Sequence, residues 1–406
     1  MARRHFRIPG DCPILSLIKG PDGRQGKTVR PSPNEALIGN RSFREYLNTP
    51  ALGVDLDAME ANVRTMDELA RTHNISVRPH AKAHKSARIA KIQMKAGAVG
   101  ICCATTGEAE VMATGGVPDL LITAPVSVAS KQARLVPLMS SVGRLCVVVD
   151  ALDTVDALAA LAASAGRRLA VLIDVDVGQR RTGVTTPALA VELGRRISRS
   201  PELQLAGIQG YAGNLQHVVS FEERAGKCRE VHERVRAMRD HLEQNGLRCE
   251  VVSGGGTGTA VNDAASGVFT ELQPGSYLYM DAHYETVEIA AAAPQPFRTA
   301  LRFFTRVVDA PHPGNATTDG GTKAMASDGP APRIVAGAPD GTLYRYAGDE
   351  FGRLEYADAA YRAKVGTLVE CHVPHCDTSI GLHDHLLCFR GNMLEDIWPI
   401  EARGCW

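Results

Sequence analysis

The sequence lacks an excess of charge of either sign, since 45 lysine and arginine residues balance 45 aspartate and glutamate residues. It also lacks any apolar run of the length that a membrane span requires. Neither feature indicates binding to nucleic acid or to a membrane. Hydrophobic residues still make up 44% of the 406 residues, enough for a large core. We expect a soluble protein of two domains that acts on small molecules.

Disulfide and zinc-binding patterns are missing as well. The ten cysteines are scattered, Cys102 and Cys103 are adjacent, and no CxxC pair occurs. This usage is typical of reduced thiols in an intracellular protein, and it does not indicate a structural zinc site. We therefore expect a cytoplasmic protein.

Residues 1–44 are basic and poor in acidic residues. Because they contain no apolar core of the kind found in secretory signals, we expect no secretion. Five prolines between Pro9 and Pro33 would break a long amphipathic helix. We predict a solvated arm that could join the C-terminal domain, and organellar targeting is the alternative.

The middle of the chain alternates short apolar runs with segments of helical length and spacing. Eight such runs occur, at residues 75–77, 99–104, 120–124, 145–149, 169–175, 205–211, 249–253 and 271–278. The alternation predicts an α/β fold, a (β/α)₈ TIM barrel over residues 45–288, with the run Ala51–Asp55 ahead of its first strand. An open doubly wound sheet is the alternative, but no GxGxxG motif opens the first helix.

The chain changes character after about residue 288. Strand-like runs separated by turn residues predict a smaller all-β domain over residues 289–406. Residues 311–332 are rich in glycine, threonine, alanine and proline, and we expect them to form a flexible surface loop.

The stretch from Arg78 to Lys85 places two lysines and two histidines directly after a predicted strand. A lysine beside other cations has a lowered pKa and can act as a nucleophilic amine toward a carbonyl compound or pyridoxal phosphate. We predict that Lys82 is this amine. A basic loop before a helix is the plainer interpretation.

Other unusual residues follow other predicted strands, and in a barrel such positions share one face. The glycine-rich stretch after the seventh strand predicts a phosphate site formed by Ser253, Gly256, Thr257, Gly258 and Thr259. A tight strand-to-helix turn is the alternative. A reactive lysine together with a phosphate site indicates pyridoxal 5'-phosphate as the cofactor.

Three further residues are candidates at the same face. Arg181 could hydrogen-bond the phenolate oxygen of the cofactor, or it could be an exposed helix cation. Tyr211 could pack against the pyridine ring or bind the phosphate, or it could belong to the core. His217 could act as a base, although a single loop histidine is usually only solvated.

The predicted β-domain contains His375 and Asp377, which would point to the same side of an extended segment. An imidazole nitrogen and a carboxylate oxygen suit a divalent ion that keeps water ligands, such as Mn²⁺, Mg²⁺ or Co²⁺. His383 and His385 have the same spacing and form the rival pair.

Taken together, these segments resemble the family of D-threonine aldolases and D-serine dehydratases, which has an alanine-racemase-like, fold-type III pyridoxal-phosphate architecture. The resemblance extends from about residue 45 to the C-terminus. Its segments are residues 49–57, 78–85, 100–104, 174–184, 211–217, 253–259, 374–377 and 398–400.

The resemblance implies that Lys82 forms the Schiff base, with His84 and Lys85 as supporting neighbours. It also implies that His217 is the base and that His375 and Asp377 bind the metal, with Mn²⁺ as our first expectation. The dehydratase branch carries His-x-Cys at the metal, so the His-x-Asp of this chain favours the aldolase branch. The family further implies a homodimer.

The expected reaction is retro-aldol cleavage of D-threonine and related D-β-hydroxy-α-amino acids to glycine and an aldehyde. The first alternative is a dehydratase that gives a keto acid and ammonia, and alanine racemisation is another. A cofactor-binding protein without catalysis is a third, although such proteins lack an added β-domain. A metal-only hydrolase has too few ligands at the strand ends. Two departures from the family pattern are Asn214, where relatives often have histidine, and Thr378-Ser379 in place of Pro-Thr.

Overall fold

The computed structural model describes residues 30–291 and 294–406. Residues 1–29, the greater part of the predicted basic arm, lie outside the described residues. Among the helices that are described, none is both long enough and apolar enough to cross a membrane.

The described chain contains two sheets, and the first strand, β1 (Ala51–Asp55), belongs to the second of them. The next eight strands form the first sheet: β2 (Ser76–Val77), β3 (Ile101–Cys103), β4 (Asp119–Ile122), β5 (Arg144–Val149), β6 (Leu169–Asp174), β7 (Leu203–Gly210), β8 (Val251–Gly254) and β9 (Glu271–Leu272). All neighbours are parallel, in the order β2-β9-β8-β7-β6-β5-β4-β3. A parallel bridge between His80 and Cys102 joins the two ends. The predicted TIM barrel is confirmed, and the open doubly wound alternative is wrong.

Ten α-helices occur in the described residues up to the last barrel strand. They are α1 (Phe43–Tyr46), α2 (Leu56–His73), α3 (Ala87–Lys95), α4 (Thr106–Thr114), α5 (Ala129–Gln132), α6 (Leu135–Ser141), α7 (Leu152–Ala165), α8 (Pro187–Ser198), α9 (Phe221–Gln244) and α10 (Ala260–Ala265). Helix α1 precedes β1, α2 links β1 to the first barrel strand, and the others follow barrel strands. Local sequence sets several of their starts: the Asp55 side chain accepts two N–H bonds at the start of α2, and the Thr105 hydroxyl accepts one at the start of α4. The branched apolar side chains of the central strands are almost fully buried.

The second sheet is the predicted smaller β-domain. Its remaining strands are β10 (Leu301–Asp309), β11 (Asn315–Thr318), β12 (Arg333–Ala336), β13 (Leu343–Tyr346), β14 (Gly352–Glu355), β15 (Leu368–His372), β16 (His385–Arg390) and β17 (Met393–Pro399), and it carries the short helix α11 (Cys376–Ile380). The main path runs β13-β14-β11-β10-β1-β16-β17, and β15 pairs with both β10 and β12.

Strand β1 precedes the first barrel strand, as expected, but its pairing partners were not predicted. It pairs antiparallel with β10 and parallel with β16, so it lies inside the β-domain sheet. Phe43 and Leu47, just upstream, pack against Phe304 and Phe389 of the same sheet. Sequence order alone could not reveal this, because the pairing joins segments that are hundreds of residues apart.

The expectation of a flexible surface loop over residues 311–332 is wrong. Strand β11 lies within it, and Thr318 and Met325 are 0% exposed. Its composition is typical of a loop, but long-range contacts bury its small and apolar residues against the sheet.

Candidate active site

A cavity of about 510 Å³ opens where the barrel strands end, and both domains line it. Residues that follow seven of the eight barrel strands, all except β5, line the cavity; among them are His80, Ala104, Thr123, Arg181, Tyr211, Thr257 and Ser276. The β-domain contributes His375 and Asp377. The volume suits a small organic molecule, and the position is the usual active-site face of a barrel.

Lys82 projects into this cavity from a single 3₁₀ turn directly after β2. Its Nζ lies 3.3 Å from Oδ2 of Asp377. The negative charge of Asp377 outweighs burial and raises the pKa of the Lys82 amine. Our expectation of a lowered pKa is therefore wrong for the free amine, because the partner carboxylate comes from the other domain.

Two other members of the basic motif, His84 and Lys85, lie outside the cavity lining. Lys85 Nζ lies 2.6 Å from Glu108 Oε1, and both side chains are largely buried. His84 is buried, and its Nδ1 accepts the N–H of Ser86 at 3.1 Å. Neither residue lines the cavity, so any support that they give to Lys82 acts through the turn.

His80 holds the start of the same turn. Its Nε2 lies 3.0 Å from the hydroxyl of Thr123, the residue that directly follows strand β4. Burial and the positive charge of Lys82 lower the pKa of His80. A neutral imidazole therefore lines the cavity beside the lysine.

The predicted phosphate residues divide into two groups. Gly256 and Thr257 line the cavity, whereas Ser253, Gly258 and Thr259 lie behind it. The N–H of Gly256 donates to Thr259 Oγ1 at 3.1 Å, and the N–H of Gly258 donates to Gln216 Oε1 at 3.0 Å. These bonds shape the loop, so the two amides have partners within the chain.

Gly275 and Ser276, after the last barrel strand, line the cavity beside this loop. The N–H of Tyr277 donates to the Thr257 hydroxyl at 2.8 Å and ties the two segments together. Loops after the seventh and eighth strands are the usual phosphate site of a barrel. These two loops together are the candidate phosphate site, and the sequence analysis named only the first of them.

Ser253 belongs to a buried polar network below the cavity. Its hydroxyl donates to Glu271 Oε1 at 2.6 Å, and Arg78 Nε donates to Glu271 Oε2 at 2.9 Å. The Gln273 side-chain amide donates to Ser253 Oγ at 2.9 Å. Ser253 thus belongs to the network below the cavity and does not line it.

His217 lines the cavity and stacks on His283, with 3.8 Å between the ring centres. Burial, then the nearby charges of His283 and His375, lower the pKa of His217 to about 4. Its Nε2 is buried and has no hydrogen-bond partner among the described residues. A neutral imidazole can accept a proton, and the role of His217 as a base stays a prediction.

Arg181 and Tyr211 lie together at the cavity, with the guanidinium carbon 5.6 Å from the ring centre. This contact holds the arginine at the mouth of the barrel. Asn214, one of the two departures from the family pattern, is exposed and does not line the cavity.

His375 and Asp377 both line the cavity, but not on the extended strand that we expected. His375 immediately precedes the short helix α11, and Asp377 is its second residue. Between them Cys376 is 0% exposed, and its N–H donates to Asp281 at 2.8 Å. Burial alone would raise the pKa of Asp377, but the charges of Lys82 and His375 lower it to about 2.

The two donors fit a divalent cation that keeps water ligands, because they are one imidazole nitrogen and one carboxylate oxygen. Within residues 30–291 and 294–406, no three acidic, histidine or cysteine side chains converge on one potential metal position. The rival pair lies elsewhere: His383 Nε2 donates to the Ala324 carbonyl at 2.6 Å, and neither His383 nor His385 lines the cavity.

Sequence reasoning missed several residues of the site. They are Gly275 and Ser276 in the second loop, Gln216 behind the first loop, His283 and Tyr284 beside His217, and Asp328 beside His375. A Pro-Gly-Ser turn after the last predicted strand could have indicated the second loop. No local pattern marks Asp328, which lies in the predicted surface loop.

Comparison with known proteins matches the chain in two parts. Residues 54–283 match the model for the alanine racemase N-terminal domain, and residues 300–389 match the putative serine dehydratase domain.

Among curated relatives, a D-threonine aldolase from Arthrobacter sp is 37% identical over 88% of this chain and 93% of its own length. A 3-hydroxy-D-aspartate aldolase from Paracoccus denitrificans (strain Pd 1222) is 36% identical over 88% of this chain and 92% of its own. The crystal structure of a D-threonine aldolase from Filomicrobium marinum superposes with a TM-score of 0.85 at 36% identity, covering 89% of this chain and 97% of that one.

Proposed function

The chain belongs to the fold-type III pyridoxal-phosphate family of D-threonine aldolases and D-serine dehydratases, and on this premise we propose that it cleaves D-threonine and related D-β-hydroxy-α-amino acids to glycine and an aldehyde. One observation carries the proposal. The barrel amine of Lys82 and the β-domain carboxylate of Asp377 lie 3.3 Å apart in one cavity, which His217 also lines. The D preference follows the relatives, whose names specify D substrates.

Lys82 would hold pyridoxal phosphate, since its amine is the lysine amine that lines the cavity. The loops at Thr257 and Ser276 would hold the phosphate, and Arg181 and Tyr211 would contact the ring. When bound, the cofactor supplies an electron-withdrawing ring that stabilises the negative charge left on Cα as the Cα–Cβ bond breaks.

His217 would accept the proton of the substrate's β-hydroxyl on a ring nitrogen. Its lowered pKa of about 4 keeps the imidazole neutral at neutral pH, so one ring nitrogen has a lone pair that can accept the proton. The stack on His283 fixes the ring plane, so the acceptor nitrogen is held in one direction. The ring of Tyr284 also packs against the base, with 4.5 Å between the two ring centres.

His375 and Asp377 would hold a divalent cation, for which we propose Mn²⁺. Such an ion lowers the pKa of a bound hydroxyl group, which assists removal of its proton. Both donors come from the β-domain, whereas the amine of Lys82 and the imidazole of His217 come from loops of the barrel. We further propose that the protein is a homodimer, as the family resemblance implies, and that it is cytoplasmic, as its cysteine usage indicates.

Dehydration of a D-β-hydroxy amino acid to a keto acid and ammonia is the second candidate. The match of residues 300–389 to the putative serine dehydratase domain favours it. Against it, the second candidate metal ligand is the aspartate Asp377, where the dehydratase branch has a cysteine. The one nearby thiol, that of Cys376 between the two candidate ligands, is 0% exposed. A hard carboxylate ligand favours Mn²⁺ or Mg²⁺ over the zinc that a thiolate would select.

The test is to incubate the purified protein with D-threonine, pyridoxal phosphate and Mn²⁺, and to assay acetaldehyde and keto acid separately. The proposal expects acetaldehyde and glycine in equal amounts. Keto acid with ammonia and no aldehyde would establish the dehydratase, and racemisation of alanine would establish the racemase. L-Threonine is the matched control substrate, and we expect no aldehyde from it.

A further inference from the structure

We propose that Asp328 is a positioning residue for the metal site: it accepts the Nδ1–H of His375 and thereby directs Nε2 of that imidazole to the cation. The inference rests on the proposed function, because it assumes that His375 binds a divalent ion.

The contact itself is direct. Asp328 Oδ2 lies 2.8 Å from His375 Nδ1. The other carboxylate oxygen, Oδ1, accepts the hydroxyl of Thr378 at 2.7 Å. One carboxylate therefore binds both His375 and the helix α11 that His375 precedes.

The chemistry of the pair determines the tautomer. An ionised carboxylate has no hydrogen to donate, so Nδ1 of His375 must carry the hydrogen in this bond. In the neutral imidazole, the lone pair is then on Nε2. Histidine ligands of metal ions usually donate their other ring N–H to a carboxylate or a carbonyl, which orients the ring and raises its basicity.

The segment that carries Asp328 is anchored on both sides. Two residues upstream, the carbonyl of Ala326 accepts a hydrogen bond from the Tyr346 hydroxyl. The backbone N–H of Ala326 donates to Ser379 Oγ at 3.4 Å. One residue downstream, Gly329 packs so closely on Pro374 that an added Cβ would lie 3.1 Å from the Pro374 oxygen. A residue held this way can orient its partner, which a mobile loop could not do.

The experiment measures Mn²⁺ binding to the cofactor-loaded protein without substrate, from the electron paramagnetic resonance signal of free Mn²⁺. We expect Asp328→Ala to raise the Kd for Mn²⁺ by about 10–100-fold. We expect Asp328→Asn, which keeps the shape and one acceptor oxygen, to lie between that variant and the wild type. The absorbance of the bound cofactor should be the same in all of them.

Thr378→Ala is the matched control. It removes the other hydrogen bond of Asp328 but leaves the bond to His375, so it should bind Mn²⁺ nearly as well as the wild type. If Asp328 only anchored the loop, Thr378→Ala and Asp328→Ala would weaken binding equally, and that result would overturn the inference. Wild-type affinity in Asp328→Ala would overturn it too.

Two further outcomes are assigned in advance. Should Asp328→Ala fail to fold, Asp328→Asn carries the test alone, and wild-type Mn²⁺ affinity in that variant overturns the inference. A wild-type protein that binds no Mn²⁺ overturns the metal part of the proposed function together with this inference. If the wild type binds Mn²⁺ and the Asp328 variants bind it with the same Kd, only the inference is overturned.

Discussion

The two walls of the cavity are built in different ways. The barrel wall consists of loops that follow parallel strands; the buried Gln216 side chain ties two of these loops together, and the buried Ser253 side chain joins the strands β8 and β9 below them. The β-domain wall consists of one short helix, which Asp281 and Asp328 hold through a few hydrogen bonds. The barrel wall therefore depends on the fold as a whole, and the β-domain wall depends on single polar contacts.

The largest effect should come from the lysine on the barrel wall. Lys82→Arg keeps the charge but cannot form the covalent link, so we expect no visible cofactor absorbance and a loss of kcat of about 10⁴-fold or more. Lys85→Arg is the matched control, because Lys85 pairs with Glu108 outside the cavity. It should keep the absorbance, and loss of colour in Lys85→Arg alone would reverse the assignment.

A substitution in the β-domain wall should weaken Mn²⁺ binding and leave cofactor binding unchanged. His375→Ala should raise the Kd for Mn²⁺ by more than about 100-fold. Mutating a residue that only hydrogen-bonds a metal ligand already weakens metal affinity by about 10–100-fold, and loss of the ligand itself should weaken it more. Cofactor absorbance should remain, because Lys82 is unchanged. The control is His383→Ala, which loses the bond to the Ala324 carbonyl but should keep the response to Mn²⁺. Equal Mn²⁺ affinities in the two variants would contradict the assignment.

The glycine loop tests whether the barrel wall is tightly packed. A Cβ at Gly258 would lie 2.0 Å from the backbone oxygen of Gln216, so Gly258→Ala must displace one of the two loops. We expect the free energy of unfolding to fall by about 1–3 kcal/mol, with weaker cofactor uptake. Gly226→Ala in helix α9 is the control and should stabilise the protein by about 0.5–1 kcal/mol in denaturant titration. A fully tolerated Gly258→Ala would show that this wall is adaptable.

The smallest effect should come from Glu285, which accepts hydrogen bonds from Arg333 and His372 on the β-domain side. Burial raises the pKa of this carboxyl, but those bonds outweigh it and leave the pKa well below its usual value. The native state thus favours the ionised form, and this stability is complete above the unfolded pKa of about 4.3.

Glu285→Gln should therefore cost about 1 kcal/mol at pH 7, and the difference from the wild type should shrink as the pH falls below about 4. Denaturant unfolding at pH 7 and at pH 3.5 measures both values. A difference that stays constant with pH would show that the charge of Glu285 has no part in the effect.

Local patterns predicted most of the barrel. The helices Thr106–Thr114 and Pro187–Ser198 have the bounds that their composition indicates, because capping residues and apolar spacing act within a few residues. The site residues on the barrel, Lys82 and His217 among them, could be grouped because parallel strands end at one face.

The β-domain was less predictable. Strand β11 lies in a segment whose composition indicates a loop, and β1 pairs with strands from the end of the chain. The pKa of Lys82 was predicted in the wrong direction for the same reason. Its nearest charges in the sequence are cations, but its nearest charge in space is Asp377.

Strand periodicity, turn residues and strand ends are encoded locally, so they indicated candidate residues for the chemistry and the face that these residues would share. Long-range contacts were needed to show that Asp377 lies beside Lys82, that the His-x-Asp segment is a helix start, and that Asp328 lies against His375. Those outcomes depend on contacts between residues far apart in the chain, and the free energy of such contacts leaves no periodic trace in the sequence.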